Sequence, residues 1–502
     1  MPGIPAFFAG RHVLVTGATG FMGKVLVEKI LRSCPDVATV FVVVRPKRGQ
    51  EPNDRIKDLR HLPVFGPLLK ANPNAFDKIH ALAGETTQVN MGLSEADQRL
   101  VQDKVSVVFH LAAALNWTVP LRTAVRENVG GTKNMLEFCK RINNLVALEY
   151  TSTTFCQCGE EVLHERLYPA PYNPHRLLEI CEIMDDEVVE SMAKTLYGPH
   201  PNCYTYTKAL AESMVDEYKN ELPLLVIRPA IVIPTYKDPI PGWVDTLNGP
   251  MGVLAAAGKG VLRSMMCNGS INAEVFPADV CINAIMAATY LRSQQPRILP
   301  EVPVFNACCG PVMETTWGEI LEIGKRVLHK CPFEWALWYP DGAIRTSWWS
   351  HQLIVLFFQV IPAYFIDALL FLLGQKRFMV RVQKKIRSGH DLLAFFTMRE
   401  WKFENKNGYI NLWPSLNDED KQTFFLNNVL PVDKEAYIEK AIMGTRTYCL
   451  KESPGTLKYC RRRLAVQHVI HRTCVALFYM TLVYYVVALS FGAFKLARSL
   501  LS

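Results

Sequence analysis

The segment PNCYTYTKALAE, from Pro201 to Glu212, places Tyr204 four residues ahead of Lys208. Four residues are about one helical turn, so the two side chains leave the same helix face, which Tyr206 does not share. A phenol is a proton donor, and an ammonium beside it favours phenolate, so the spacing predicts a tyrosine whose pKa is drawn down. Such a pair suits the reduction of a carbonyl: Tyr204 gives a proton to the oxygen as hydride reaches the carbon. Lys208 tunes the phenol and holds the ribose of a nicotinamide cofactor. A third group must position the substrate oxygen, and YTSTTF offers the hydroxyls of Thr153 or Ser152 at the end of an expected strand.

The hydride needs a carrier, and the N-terminal segment RHVLVTGATGFMGKVLVEKILRSC has the pattern for one. An apolar run at Val13 to Val15 leads into a turn with Gly17, Gly20 and Gly23, and an amphipathic helix follows. The glycines let backbone turn tightly against a pyrophosphate on the helix N-terminus, with Thr19, Phe21 and Met22 completing the turn. A second strand, VFVVV, ends in VRPKRG rather than in an acidic residue. Arg45 and Arg48 there suit a ribose 2′-phosphate, so the expected cofactor is NADPH. Small Ala112 in HLAAA lets a dinucleotide lie close. Apolar strands alternate with helical patterns through residue 290, which predicts an α/β, Rossmann-type doubly wound parallel sheet. In such a sheet the ligand lies beyond the carboxyl ends of the strands. His80, His110, His164, His175 and His200 show no ligand spacing; no metal is expected, and they read as surface or core residues.

The rest of the chain reads as a connector at 291–350, a helical domain at 351–460 and a membrane anchor. The chain has 502 residues, 49% of them apolar and 20% charged, an ordinary globular balance. The net charge of +8 is concentrated beside apolar stretches: six cations lie between Lys376 and Arg387, and Arg461, Arg462 and Arg463 form a second cluster. That placement points to an anionic membrane surface, and no nucleic-acid-binding motif is present. Residues 473–494 carry no charge, and at about 1.5 Å per residue they cover a bilayer. Arg461 to Arg463 outweigh Lys495 and Arg498, so the preceding body is expected on the cytosolic side. The terminal SLLS is not a peroxisomal address, which leaves peroxisome and endoplasmic reticulum both open. A second apolar run, Leu353 to Leu373, contains Pro362 and Asp367 and is expected to be a buried or membrane-dipping helical pair rather than a span. Fourteen scattered cysteines read as thiols facing the cytosol, and the N-terminus lacks the pattern of a secretory signal. Nothing marks an oligomer interface.

TGATGFMGKVLVEKILRSCP, HPNCYTYTKALAE, PGWVDTLNGPMGVLAAAGKGVLRS, FPADVCINAI and MGTRTY, in this order, resemble the extended short-chain dehydrogenase/reductases and, within them, the animal fatty acyl-CoA reductases. The resemblance spans nearly the whole chain. It implies reduction of long-chain acyl-CoA through an aldehyde to a primary alcohol, with two NADPH consumed and CoA released. Carried onto this chain, the acid is Tyr204, its partner Lys208 and the positioning hydroxyl Thr153, with Arg228 and Pro229 near the nicotinamide. Ser152, Trp243, Lys259 and Arg263 fall on the acyl-CoA side, the last two facing CoA phosphates. After HLAAA the chain has Asn116, Trp117 and Val119 where the family has an Arg-Phe pair and an acidic residue, and STTF replaces STAY. Two other readings share part of the pattern. A membrane-bound hydroxysteroid dehydrogenase has the same glycine and YxxxK motifs but more often uses NAD, which Arg45 disfavours. An NADP-binding sensor or scaffold has no reason to keep Tyr204, Lys208 and a neighbouring hydroxyl together.

Overall fold

A computed structural model of the chain describes residues 3–46, 49–309, 314–426 and 433–500. Its centre is a seven-stranded parallel sheet. In chain order the sheet and its main helices are β1 (His12–Thr16), α1 (Phe21–Ser33), β2 (Thr39–Val44), β3 (Ile79–Ala83), β4 (Val105–His110), α2 (Gly131–Cys139), β5 (Ala147–Thr151), α3 (Cys203–Glu217), β6 (Leu224–Pro229), α4 (Ala278–Ser293) and β7 (Val304–Ala307). The strands lie in the order β7-β6-β5-β4-β1-β2-β3, so the direction of winding reverses between β1 and β4, and a crevice opens there at the carboxyl ends.

Period-two alternation sorts the apolar side chains onto the two faces. Val13, Val15, Val107, Phe109, Leu225 and Ile227 enter one core with Leu26 and Ile30 of α1 and Ile282 and Ile285 of α4. Leu14, Val108, Leu224 and Val226 enter the other with Leu136 of α2 and Tyr206 and Leu210 of α3. Tyr206 is fully buried, and it turns α3 so that the Tyr204 face looks toward the strand ends.

Among the helices that follow are α5 (Trp348–Val355), which runs through a wide turn at Leu356–Val360 into α6 (Ile361–Leu372), then α7 (Met379–Thr397), α8 (Lys434–Gly444) and α9 (Leu457–Leu500). This C-terminal part wraps around the sheet domain. The Asp420 carboxylate accepts the Ile4 backbone N–H at 3.0 Å. Lys29 of α1 donates to the Thr423 carbonyl at 2.6 Å and stands 4.9 Å from the Phe424 ring. Leu353 to Leu373 is not buried: most of its large apolar side chains face outward, which removes that half of the expectation. Pro362 sits in the first turn of α6, just after the widened turn, where its missing N–H costs no helical bond. Among the described residues, two helices are long and apolar enough to cross a membrane, Trp348–Leu372 and the one formed by α9.

The PGW segment and α8 meet backbone to backbone. Gly242 holds φ +78°, and a Cβ there would stand 2.1 Å from the Lys440 carbonyl oxygen; a Cβ on Gly444 would stand 1.7 Å from that of Gly242. Glycine inside a helix ordinarily costs about 1 kcal/mol relative to alanine. Gly444→Ala is nevertheless expected to destabilise the protein, by about 1–3 kcal/mol from overpacking, seen as a lower midpoint in thermal unfolding.

Candidate active site

Helix α3 begins where the Asn202 side chain accepts the Thr205 N–H at 3.0 Å, the cap its sequence offers. Tyr204, Lys208 and Glu212 then recur at single-turn spacing along one face. The chain leaving β5 keeps pairing with β6 beyond the strand: Ser152 N–H donates to Ile227 O at 2.7 Å and Thr154 N–H to Pro229 O at 3.0 Å. The Thr153 hydroxyl donates to Pro229 O at 3.4 Å and accepts the Phe155 N–H at 3.3 Å. Thr153 thus stands at the strand ends, near enough to the Tyr204 phenol to oppose the rise in its pKa.

The electrostatics differ from the expectation for the tyrosine. Tyr204 keeps part of its surface open, yet its hydroxyl is ringed by protein, and burial pushes its pKa up, with the Cys156 thiol adding to the rise and Thr153 opposing it. Lys208 does not pull it down because its ammonium is aimed elsewhere. It donates to the Thr151 carbonyl at 2.6 Å and the Tyr150 hydroxyl at 3.3 Å, and lies 4.7 Å from the Tyr150 ring. Burial lowers the Lys208 pKa to about 8 against the opposing pull of Glu212, Glu149 and Cys156. A raised tyrosine pKa keeps the phenol protonated at neutral pH, which a proton donor requires.

Beneath this face lies a fully buried ion pair. Arg228 Nε and Nη2 donate to the two Glu212 oxygens at 2.7 and 2.6 Å, and the guanidinium also meets the carbonyls of His164 and Arg166 at 3.0 and 2.9 Å. Burial by itself lowers an arginine pKa, but Glu212 overrides it and holds Arg228 more firmly protonated. Arg228, expected near the nicotinamide, is therefore a support under α3 whose guanidinium is wholly engaged within the protein. Pro229 is buried and offers its carbonyl to Thr153 and Thr154.

A second buried network joins the glycine turn to Lys208. His110, at the end of β4, holds the Thr16 hydroxyl at 2.7 Å through Nδ1 and that of Thr132 at 3.3 Å through Nε2, and stacks on Tyr150 with ring centroids 5.8 Å apart. Burial first, then Lys208, lower its pKa to about 3, so the ring is neutral. Asn128 accepts the Ala114 N–H at 2.7 Å and donates to the Thr207 hydroxyl at 2.9 Å, tying the loop after β4 to α3. His110 is thus more than the surface or core residue expected, and Tyr150, Glu212 and Asn128 join it as residues the sequence reading passed over. Glu212 alone had a legible signal, one more turn along the Tyr204–Lys208 face.

The crevice fits a dinucleotide. Gly17 has φ +76°, and a Cβ on it would come 2.7 Å from the Ala112 nitrogen; one on Gly23 would come 2.2 Å from Gly17 O. Gly20 caps α1 with no side chain over the first-turn N–H groups, and no acidic residue lies in that turn. Thr19, Phe21 and Met22 are half-buried around it. Arg45 follows β2, largely exposed, with Glu85 and Glu127 at 3.5 and 3.6 Å, separations loose enough for a phosphate to compete. Arg48 lies outside the described residues.

Three residues expected on the acyl-CoA side are engaged in the protein itself. Trp243 is fully buried and stacks on Phe21 at 5.4 Å, beside a pairing of Lys24 with Asp245. Lys259 donates to the Glu334 carbonyl at 3.0 Å and to Glu452 at 2.8 Å. Arg263 donates to the Tyr339 carbonyl at 2.8 Å and pairs with Asp341. None of the three faces a phosphate freely, because each cation has a carboxylate and a carbonyl within reach and the indole has a ring beneath it. Ser152 is buried beside Thr153. What does flank Thr153 is aromatic: Phe155 contacts Phe396 of α7, Trp401 and Phe403 at 5.2, 5.8 and 5.5 Å, and Trp117 reaches Phe396 at 5.3 Å.

Removing one member of a buried pair strands its partner's charge. Arg228→Met is expected to cost about 3–5 kcal/mol, and the double variant with Glu212→Met distinctly less, measured by thermal unfolding of the two side by side.

Comparison with known proteins places this geometry. Residues 15–285 match an NAD-binding family described as Male sterility protein, and residues 358–452 match the Sterile family, described in the same words. Fatty acyl-CoA reductase 1 of Rattus norvegicus is 35% identical over 469 residues, covering 92% of this chain and 89% of the relative. The Homo sapiens protein of that name is 35% identical over 465 residues, with the same coverages. Fatty acyl-CoA reductase wat of Drosophila melanogaster is 30% identical over 473 residues, covering 94% and 90%. Among solved structures, the reductase domain of a nonribosomal peptide synthetase from Mycobacterium tuberculosis superposes with a TM-score of 0.58 at 14% identity, covering 89% of this chain and 93% of that one. At that identity it speaks for the fold alone. Identity sustained from the glycine turn through the C-terminal helices, together with both family matches, makes this chain a member of the fatty acyl-CoA reductase family.

Proposed function

We propose that the protein reduces long-chain or very-long-chain fatty acyl-CoA to the primary alcohol, releasing CoA and passing through the aldehyde, with two NADPH consumed. The observation that carries this reading is the meeting of Tyr204, Thr153 and Lys208 at the strand ends beside the glycine crevice. NADPH supplies the hydride in each of the two reductions. The turn at Gly17, Gly20 and Gly23 holds the pyrophosphate against the start of α1, Ala112 leaves room for the cofactor, and Arg45 meets the 2′-phosphate. Thr153, with Ser152 behind it, orients the carbonyl oxygen toward Tyr204. Tyr204 gives that oxygen its proton in each reduction, and between them the hemithioacetal loses CoA thiol to leave the aldehyde. Lys208 holds the ribose of the nicotinamide, its ammonium set by Thr151 and Tyr150.

The protein associates with a membrane through α9, with residues 473–494 as the span and the body on the cytosolic side of the peroxisomal or endoplasmic reticulum membrane. The triple arginine at 461–463 supports that orientation.

The decisive assay uses the full chain in detergent with NADPH and a series of saturated acyl-CoAs. Two NADPH consumed per alcohol formed is the expected result, whereas NADPH binding without turnover of any acyl-CoA would overturn the reading. Tyr204→Phe is expected to keep NADPH binding and lose about 10²–10⁴-fold in turnover. The Lys208 ammonium is charged below a pKa of about 8 and lost above it. Because Tyr204 stays protonated through that range, kcat/KM is expected to fall as pH rises through about 8, read from a pH–rate profile.

A further inference from the structure

The helix formed by α5 and α6 presents a large apolar face to the outside. Trp349, Phe365, Phe371 and Leu372 are each 64–78% exposed. Its first half is nonetheless held against the body of the molecule. Near its start, His351 stacks on His390 of α7 with ring centroids 4.5 Å apart and holds the Ser264 hydroxyl at 2.8 Å. His390 in turn accepts the Met266 N–H at 2.6 Å. About two turns further on, the Gln359 side-chain oxygen accepts the N–H groups of Arg263 and Ser264 at 2.8 and 3.2 Å, and its amide reaches Gln383 at 3.2 Å. Gln383 donates to the Val261 carbonyl at 2.9 Å. The helix out and the helix back are therefore both seated on residues 261–266.

Only residues 360–372 project past the Gln359 anchor. At about 1.5 Å per residue they reach roughly 20 Å, short of the roughly 30 Å hydrocarbon core of a bilayer. The turn back is built in: the Asp367 carboxylate accepts the N–H groups of Phe378, Met379 and Val380 at 2.9–3.0 Å and so caps the start of α7. The returning strip carries Lys376, Arg377, Arg381, Lys384, Lys385 and Arg387, all exposed, with no carboxylate paired to any of them among the described residues. The apolar face also continues into the anchor helix. Phe358 lies 6.2 Å from Phe478 of α9, within residues 473–494. Just before that stretch, His471 holds Asp341 at 2.8 Å, and Asp341 pairs with Arg263. One short segment, 261–266, thus sets both apolar elements at the same level.

We propose that α5–α7 is a second membrane contact that lies within the cytosolic leaflet without crossing it. Its helices lie along the leaflet rather than into it, so that the apolar face sits among the acyl chains and all six cations, Lys376 and Arg377 at the turn included, stay at the headgroups of anionic phospholipids. The proposal rests on the anchor reading of α9 only for the position of the bilayer.

The test uses the full chain in vesicles of phosphatidylcholine with and without phosphatidylserine, with Cys449 and Cys474 replaced by Ala. Single cysteines are placed at Ser347, Gln375 and Ser502 and treated with a membrane-impermeant maleimide. Ser347→Cys and Gln375→Cys are expected to react from the face bearing the body, and Ser502→Cys only after permeabilisation. Reaction of Gln375→Cys only from the opposite face, or from neither, would overturn the proposal; reaction of Ser502→Cys from the body's face would instead overturn the anchor reading. A fluorophore on Phe365→Cys is expected to be quenched by lipids brominated in their acyl chains, more strongly with phosphatidylserine present. Replacing Arg381, Lys384, Lys385 and Arg387 by Gln is expected to abolish that dependence. A fluorophore shielded from both water and bromolipid would mean that a second protein copy covers the face, and equal quenching in both vesicles would remove the headgroup contact; either result overturns the proposal as stated.

Discussion

The Arg228–Glu212 pair is the constraint on which the site depends. It joins the last turns of α3 to the end of β6, and it has no water to fall back on. Four hydrogen bonds fix the guanidinium in its plane, so the helix face carrying Tyr204 and Lys208 has one azimuth relative to the strand ends. The apolar side of α3, led by Tyr206 and Leu210, reinforces the same rotation from below. A catalytic tyrosine needs its phenol placed to within a fraction of an ångström, and a helix held only by apolar packing would leave that rotation softer.

The remainder of the site is organised around directing one ammonium. Lys208 has three donors, and the protein commits two of them to Thr151 and Tyr150. His110 sets Tyr150 from behind and reaches Thr16 at the foot of the glycine turn. The part of the fold that receives pyrophosphate and the part that aims Lys208 are therefore one continuous buried polar network, closed by Asn128 across the loop after β4.

Much of this was legible in the sequence, for physical reasons. The glycine triplet can be read because only glycine tolerates the approach of Gly17 to Ala112, and the central strands can be read as apolar runs because they are buried on two faces. Tyr204 and Lys208 are legible because one turn of helix puts them on one side. What a linear reading lacks is the partner of each charge. Lys259 and Arg263 look like free cations until Glu452 and Asp341, remote in sequence, are folded against them. Trp243 looks like a ligand contact until Phe21 is found beneath it. The tyrosine pKa was misjudged for the same reason, since spacing locates an ammonium without saying where it points. The run from Leu353 to Leu373 was ambiguous because hydropathy is the same for a buried helix and an exposed one.

The contact between Gly242 and Gly444 bears on how this sequence can vary. The two positions lie about two hundred residues apart, in PGW and MGTRTY, yet they share a space with room for neither side chain. Neither can drift alone, and a compensating change at the other cannot help, because both are already the smallest residue. The two motifs therefore behave as a single locus under selection, and the chain cannot exchange its C-terminal helices for a foreign set unless the donor brings its own glycine to that place.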